Sequence, residues 1–177
     1  LFEGNKYEGD TLLPVIEHFE NKHKPDKLIV VADAGLLSNK NIQRLIEKNY
    51  QYILGARIKN ETNQIKTEIL NLKLNDGSSQ SIKKPNKQRL IISYVKSRAI
   101  KDAHNRKRGL VKLEKALNTG KLSKKHINNK GYNKYLKLEG KITVAIDYEK
   151  YQDDAKWDGL KGYLTNTTLE KEEVIKQ

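Results

Sequence analysis

Residues 28–37, Leu28-Ile29-Val30-Val31-Ala32-Asp33-Ala34-Gly35-Leu36-Leu37 (LIVVADAGLL), decide how this chain folds. The first five are unbroken apolar residues, as in a strand buried on both faces of a parallel sheet. Asp33-Ala34-Gly35 closes the run. Ser38 stands where a helix N-cap belongs, ahead of Asn39 to Lys48, in which Ile42, Leu45 and Ile46 share one face. Tyr50 to Arg57 is a second buried strand, built on Tyr52-Ile53-Leu54-Gly55-Ala56. Upstream, Leu12, Leu13, Ile16 and Phe19 recur at helical spacing between Thr11 and Lys22, with Pro14 in the tolerated first turn. Pro25-Asp26 breaks that helix. Helix, strand, helix, strand in this order predicts an α/β unit with parallel neighbouring strands.

Beyond Arg57 the pattern changes. Residues 58–95 are polar and broken, with a hairpin turn expected at Asn75-Asp76-Gly77 and a strand from Arg89 to Val95. Ser97 is the expected cap of a long helix from Arg98 to Leu117, ended by Asn118 and Gly120. Lys121 to Lys134 reads as exposed loop. Lys141 to Asp147 and Leu160 to Thr165 read as short strands, and Leu169 to Gln177 as the start of a helix. No internal repeat is evident.

The 177 residues carry a net charge of +13, with 32% charged residues and a mean hydropathy of -0.80. The excess is local: residues 96–137 hold 14 Lys and Arg against 2 Asp and Glu. Such a block suggests a polyanionic partner; its plainer reading is a solvated, lysine-rich surface. The absence of cysteine excludes disulfides, thiolate catalysis and cysteine-based zinc sites, and fits a cytoplasmic protein. No apolar run approaches the roughly 20 residues of a membrane span, and no targeting segment is evident. With no methionine anywhere, the chain reads as an internal piece of a longer polypeptide.

Asp33 ends a buried strand, at the sheet edge where ligands bind in open α/β folds. Ala34 and Gly35 leave room for a substrate or metal beside it. From spacing alone, Asp33 reads equally well as a turn aspartate. Two-metal phosphoryl chemistry needs several carboxylates, and none pairs clearly with Asp33. Asp147, Asp153, Asp154 and Asp158 belong to an acidic late segment, where Asp158-Gly159 reads as a turn. Glu3, Glu8 and Asp10 read as surface groups.

Five stretches, in this order, carry a family resemblance: LFEGN (1–5), LIVVADAGLL (28–37), NIQRLIEKNYQYILGARIK (41–59), RLIISYVKSRAIKDAHNRKRGLVKLEKAL (89–117) and WDGLKGYLTN (157–166). Together they span nearly the whole chain. The chain resembles the DDE transposases of bacterial insertion sequences that have an insertion before the last catalytic glutamate. That resemblance implies a partial RNase H-like α/β core interrupted by a basic mixed α+β insertion. It divides the chain into core at 1–57, insertion at 58–155 and a return to the core at 156–177. It implies three carboxylates holding Mg2+ or Mn2+ for DNA cleavage and strand transfer. Asp33 falls at the second aspartate. The first is expected upstream of Leu1 and the glutamate just beyond Gln177, so Glu172 and Glu173 do not take its role. DNA is the implied partner, with a homodimer holding two DNA ends in the complete enzyme.

Arg98, Lys101, Asn105, Arg108, Lys112 and Lys115 recur every three or four residues and form one stripe on a helix. Ala99, Ala103, Leu110, Leu113 and Leu117 form an adjoining apolar stripe, interrupted by Arg106. The polar stripe is the candidate nucleic-acid contact, reading phosphates rather than sequence; an ordinary solvated face is the alternative. Tyr132 and Tyr135, interleaved with lysines, either stack on an unpaired base or pack a strand edge. Trp157 reads as core. His18, His23, His104 and His126 lack a metal-ligand spacing. Two other functions compete with a transposase: a non-catalytic nucleic-acid-binding module or transposon remnant, and a small hydrolase or phospho-acceptor domain with Asp33 as nucleophile. A nuclease of the same fold remains open too.

Overall fold

The computed structural model describes residues 8–36, 38–140 and 143–177. The LFEGN stretch with Glu3, Leu37 of the strand-exit motif, and Lys141 at the start of an expected strand lie outside the described residues. In chain order the helices and strands are α1 (Glu8–His23), β1 (Ile29–Ala32), α2 (Asn39–Glu47), β2 (Gln51–Ala56), α3 (Asn63–Asn71), β3 (Ser79–Lys83), β4 (Arg89–Tyr94), α4 (Lys96–Asn118), β5 (Leu136–Glu139), β6 (Thr143–Ile146), α5 (Tyr148–Asp153), β7 (Leu160–Thr165) and α6 (Lys171–Lys176). The chain divides into two compact units, Leu1–Tyr94 with Lys161–Gln177, and Val95–Leu160.

The first unit is built on a five-stranded mixed sheet of order β1-β2-β7-β4-β3. β1 and β2 are parallel, with Val30 opposite Tyr52 and Val31 opposite Ile53, as the helix–strand order predicted. β7 runs antiparallel to β2, placing Leu164 opposite Leu54 and Tyr163 opposite Gly55. Alternation along the strands sends Val30, Tyr52, Leu54 and Leu164 to one face, against Leu13 and Ile16 of α1 and Leu45 of α2. Ile53, Ile91 and Tyr163 face the other way and pack on Val174 of α6. Leu45, Leu90, Ile91 and Ile92 are fully buried, each stabilising the unit by about 1.5–3 kcal/mol.

Local chemistry sets the joints. Ser38 caps α2 as expected, its Oγ accepting from the Asn41 N–H at 3.1 Å. At the other end Asn49 adopts φ 57, and the N–H groups of Asn49 and Tyr50 donate to Ile46 and Leu45. That left-handed stop turns the chain directly into β2. Thr165 and Asn166 extend the β2–β7 ladder with side chains. Thr165 Oγ1 donates to the Tyr52 carbonyl, and Asn166 accepts from the Tyr52 N–H while donating to the Tyr50 carbonyl.

Several expectations change. α1 starts a turn earlier than expected, so Pro14 lies inside the helix rather than in its first turn. There its ring removes one intrahelical hydrogen bond. The Asn75-Asp76-Gly77 turn precedes β3 instead of joining two strands. The β3–β4 hairpin closes at Lys84–Gln88, where Asn86 and Lys87 take φ 58 and 59, the paired left-handed residues of a type I′ turn. The compact units divide the chain at places other than the 57 and 155 expected for core and insertion. β3 and β4 belong to the same sheet as β1 and β2, so the first unit runs on through Tyr94 and resumes at Lys161. Residues 58–95 look polar because α3 and β3 each bury little more than one apolar side chain, Ile69 and Ile82.

The second unit packs α4 on the antiparallel pair β5–β6, around Leu113, Tyr135, Leu136, Val144 and Ile146. α4 opens at Lys96 after Val95, with no side-chain cap, so Ser97 lies inside the helix. Gly120 at φ 66 ends it as expected, with Gly120 and Lys121 donating to Leu117 and Ala116. Gly109 is needed for contact: a Cβ there would stand 2.1 Å from the Tyr132 ring. Tyr135 is 2% exposed and donates to Asp154, so it packs the core and is not open to a base. Trp157 is buried, as read. The Val95 N–H donates to the Gly159 carbonyl at 3.1 Å, closing the unit where it begins and ends.

Candidate functional site

Asp33 immediately follows the last residue of β1 and is exposed. Its Oδ1 accepts the Ala34 N–H at 2.6 Å, which holds the carboxylate over a short 3-10 turn, Ala34–Leu36. Of the two readings the sequence left open, the turn aspartate is the one the geometry displays. Asp33 shapes the turn, and it presents its carboxylate to solvent at the strand exit.

That carboxylate opens into a cleft of about 300 Å3. Val31, Ile53 and Gly55 line it from β1 and β2, Lys161 and Tyr163 from β7, and Gln177 from the end of α6. The two-residue period explains the grouping, since odd-numbered positions on all three strands share one face. Gly55 is the close-approach residue. A Cβ on it would lie 2.9 Å from the Ala34 backbone N and 3.4 Å from Asp33 Oδ1. Gly55→Ala is expected to destabilise the chain by about 2 kcal/mol, because a backbone atom rather than a flexible side chain must yield. Denaturant unfolding checks this; an unchanged midpoint would mean that the Asp33 turn is free to shift.

Lys161 and Tyr163 were not singled out from sequence, although both lie within WDGLKGYLTN. Their signal was the spacing of two on a strand, which places a lysine and an aromatic ring side by side. Lys161 Nζ sits 4.7 Å from the centre of the Tyr163 ring.

One carboxylate is too few for a pair of divalent ions. Among the described residues no three His, Asp or Glu side chains converge, so these residues alone do not fit a metal centre. Glu172 and Glu173 lie in the first turn of α6, and Glu173 accepts from the Glu170 N–H as part of a capping box.

No family model, curated protein or solved structure matches this chain.

The six stripe residues lie on α4 as expected. Arg98, Lys101, Arg108, Lys112 and Lys115 are exposed and Asn105 is half-buried. Two contacts order the stripe. Arg98 meets Asp102 at 3.5 Å, and Arg108 donates to Asn105 at 3.2 Å. Arg106, the break in the apolar stripe, turns inward. It pairs with Asp158, and its guanidinium lies 5.6 Å from the Tyr151 ring centre. Asp158 is thus an ion-pair partner and more than a turn residue. Among the described residues, no helix is long and apolar enough to cross a membrane.

Proposed function

We propose that the chain is part of a DDE-type transposase with an RNase H-like core, in which Asp33 is one carboxylate of a metal-dependent DNA phosphoryl-transfer site. The observation that carries this reading is the cleft at the β1 exit, where Asp33 stands exposed beside Gly55 and the end of α6. Gln177, at the end of α6, lines the same cleft. The reading requires the remaining carboxylates from elsewhere in the polypeptide, with Mg2+ or Mn2+ as the ions and a homodimer as the working form. The ions would supply activation of the attacking oxygen and stabilisation of the leaving one. Residues 1–177 alone are then expected not to cut DNA. The test is Mg2+-dependent strand cleavage by the full-length gene product, wild type against Asp33→Asn. Equal activity of the two overturns the reading.

DNA is the proposed partner of α4, whose exposed cations support phosphate contact without sequence readout. Replacing Arg98, Lys101 and Arg108 together by alanine is expected to weaken duplex binding to a similar extent on all sequences. The slope of log affinity against log salt should become shallower by roughly 3. Titration of unrelated duplexes at several salt concentrations checks this, and a loss confined to one sequence would mean base contacts instead. A non-catalytic nucleic-acid-binding module is the second reading. The α4 face favours it equally, and it stands if the full-length wild type binds duplex DNA but cleaves none in Mg2+ or Mn2+.

A further inference from the structure

We propose that Lys161 is a phosphate-holding residue, gripping a backbone phosphate of the DNA strand that Asp33 acts on; the proposal rests on the Asp33 reading above. Lys161 and Asp33 line one cleft from two different strands. Their roles in it differ. Asp33 is committed to its turn through Oδ1. Lys161 is exposed, and among the described residues no carboxylate lies within ion-pair distance of it.

Its ammonium is not loose, however. It lies over the ring of Tyr163, a residue that is 8% exposed and packed against Ile53 and Val174. A cation over an aromatic face keeps its hydrogen-bond donors for a further partner, because the ring attracts the charge without accepting those bonds strongly. The lysine is thereby held near one position, with its donors turned to solvent. A phosphate oxygen supplies what is missing, a compact anion with several acceptors, and lysine binds such groups as a point charge. Gly55 separates the Asp33 turn from β7 and adds no side chain to the cleft. Carboxylate and ammonium thus line one cleft of about 300 Å3 that no side chain from position 55 fills.

The 177-residue chain is titrated with a DNA duplex over a range of salt, as wild type, Lys161→Ala and Lys161→Arg. Thermal unfolding of each variant checks the fold. Loss of one phosphate contact is expected to make the salt slope shallower by about 1 for Lys161→Ala, with the slope restored by Lys161→Arg. In the full-length gene product, Lys161→Ala is expected to lower cleavage about tenfold or more at saturating DNA, with arginine recovering most of it. An unchanged slope in Lys161→Ala overturns the proposal, even where Asp33→Asn abolishes cleavage. A slope that falls by about 1 while Asp33→Asn leaves cleavage intact upholds the phosphate contact and overturns the Asp33 reading alone.

Discussion

Asp33→Asn in the full-length gene product is expected to lower Mg2+-dependent strand cleavage by roughly a thousandfold, equivalent to about 4 kcal/mol of transition-state stabilisation. On the reading proposed above, little chemistry falls to protein groups, so replacing Asp33 should abolish activity rather than blunt it. The fold should not notice. Asp33 is exposed, and an asparagine oxygen can still accept the Ala34 N–H now bound at 2.6 Å. The unfolding midpoint is therefore expected to stay put, which separates a lost ligand from a lost structure. Asp33→Cys sharpens the test. A thiolate suits the softer Mn2+ better than Mg2+, so activity lost in Mg2+ should partly return in Mn2+. Full activity of Asp33→Asn in Mg2+ would remove Asp33 from the chemistry altogether.

The largest effect on stability is expected from Asp158→Ala. Arg106 and Asp158 pair within the second unit with side chains only 13% and 17% exposed. Arg106 Nε is buried with no partner among the described residues, and the Tyr151 ring covers one face of the guanidinium. Removing the carboxylate strands a charge that water barely reaches, which costs about 3 kcal/mol. For a chain of this size that corresponds to a fall in melting temperature of about 6–12 °C. The pair itself adds less than this figure suggests, because replacing both charges by apolar side chains often restores stability. Arg106→Met with Asp158→Leu should accordingly melt well above Asp158→Ala. A loss below about 1 kcal/mol in Asp158→Ala would mean that solvent screens the pair as it does at a surface.

The sequence disclosed the parts of this molecule whose burial leaves a regular trace. The apolar runs at 28–32 and 52–56 stand out as β1 and β2, although only β2 is buried on both faces; β1 is the sheet edge, and Val31 on it is 50% exposed. Ser38 announces α2 because a cap is a local device, complete within four residues. β3 left no comparable trace, since only Ser79 and Ile82 of its five residues are buried. Its turn was hidden as well. Asn86-Lys87 takes the backbone form usually signalled by Asn-Gly, while the Asn-Asp-Gly that carries the signal lies ahead of β3. At the candidate site, Asp33 was legible from its strand. Lys161 and Tyr163 were not, because their nearness to Asp33 depends on β7 lying beside β2, a pairing more than a hundred residues apart in sequence. Arg106 read as a flaw in an apolar stripe until Asp158 came beside it.

The closure between Val95 and Gly159 carries a consequence for how this protein can change. β4 and β7 are neighbours in the sheet, and the Val95–Gly159 backbone hydrogen bond ties the chain together where it leaves one and returns to the other. For the sheet, everything from Lys96 to Asp158 is one long loop with its ends already together. Lengthening such a loop costs only about 0.6 kcal/mol per doubling. Evolution is therefore free to trim, enlarge or graft this segment without re-registering a strand of the sheet.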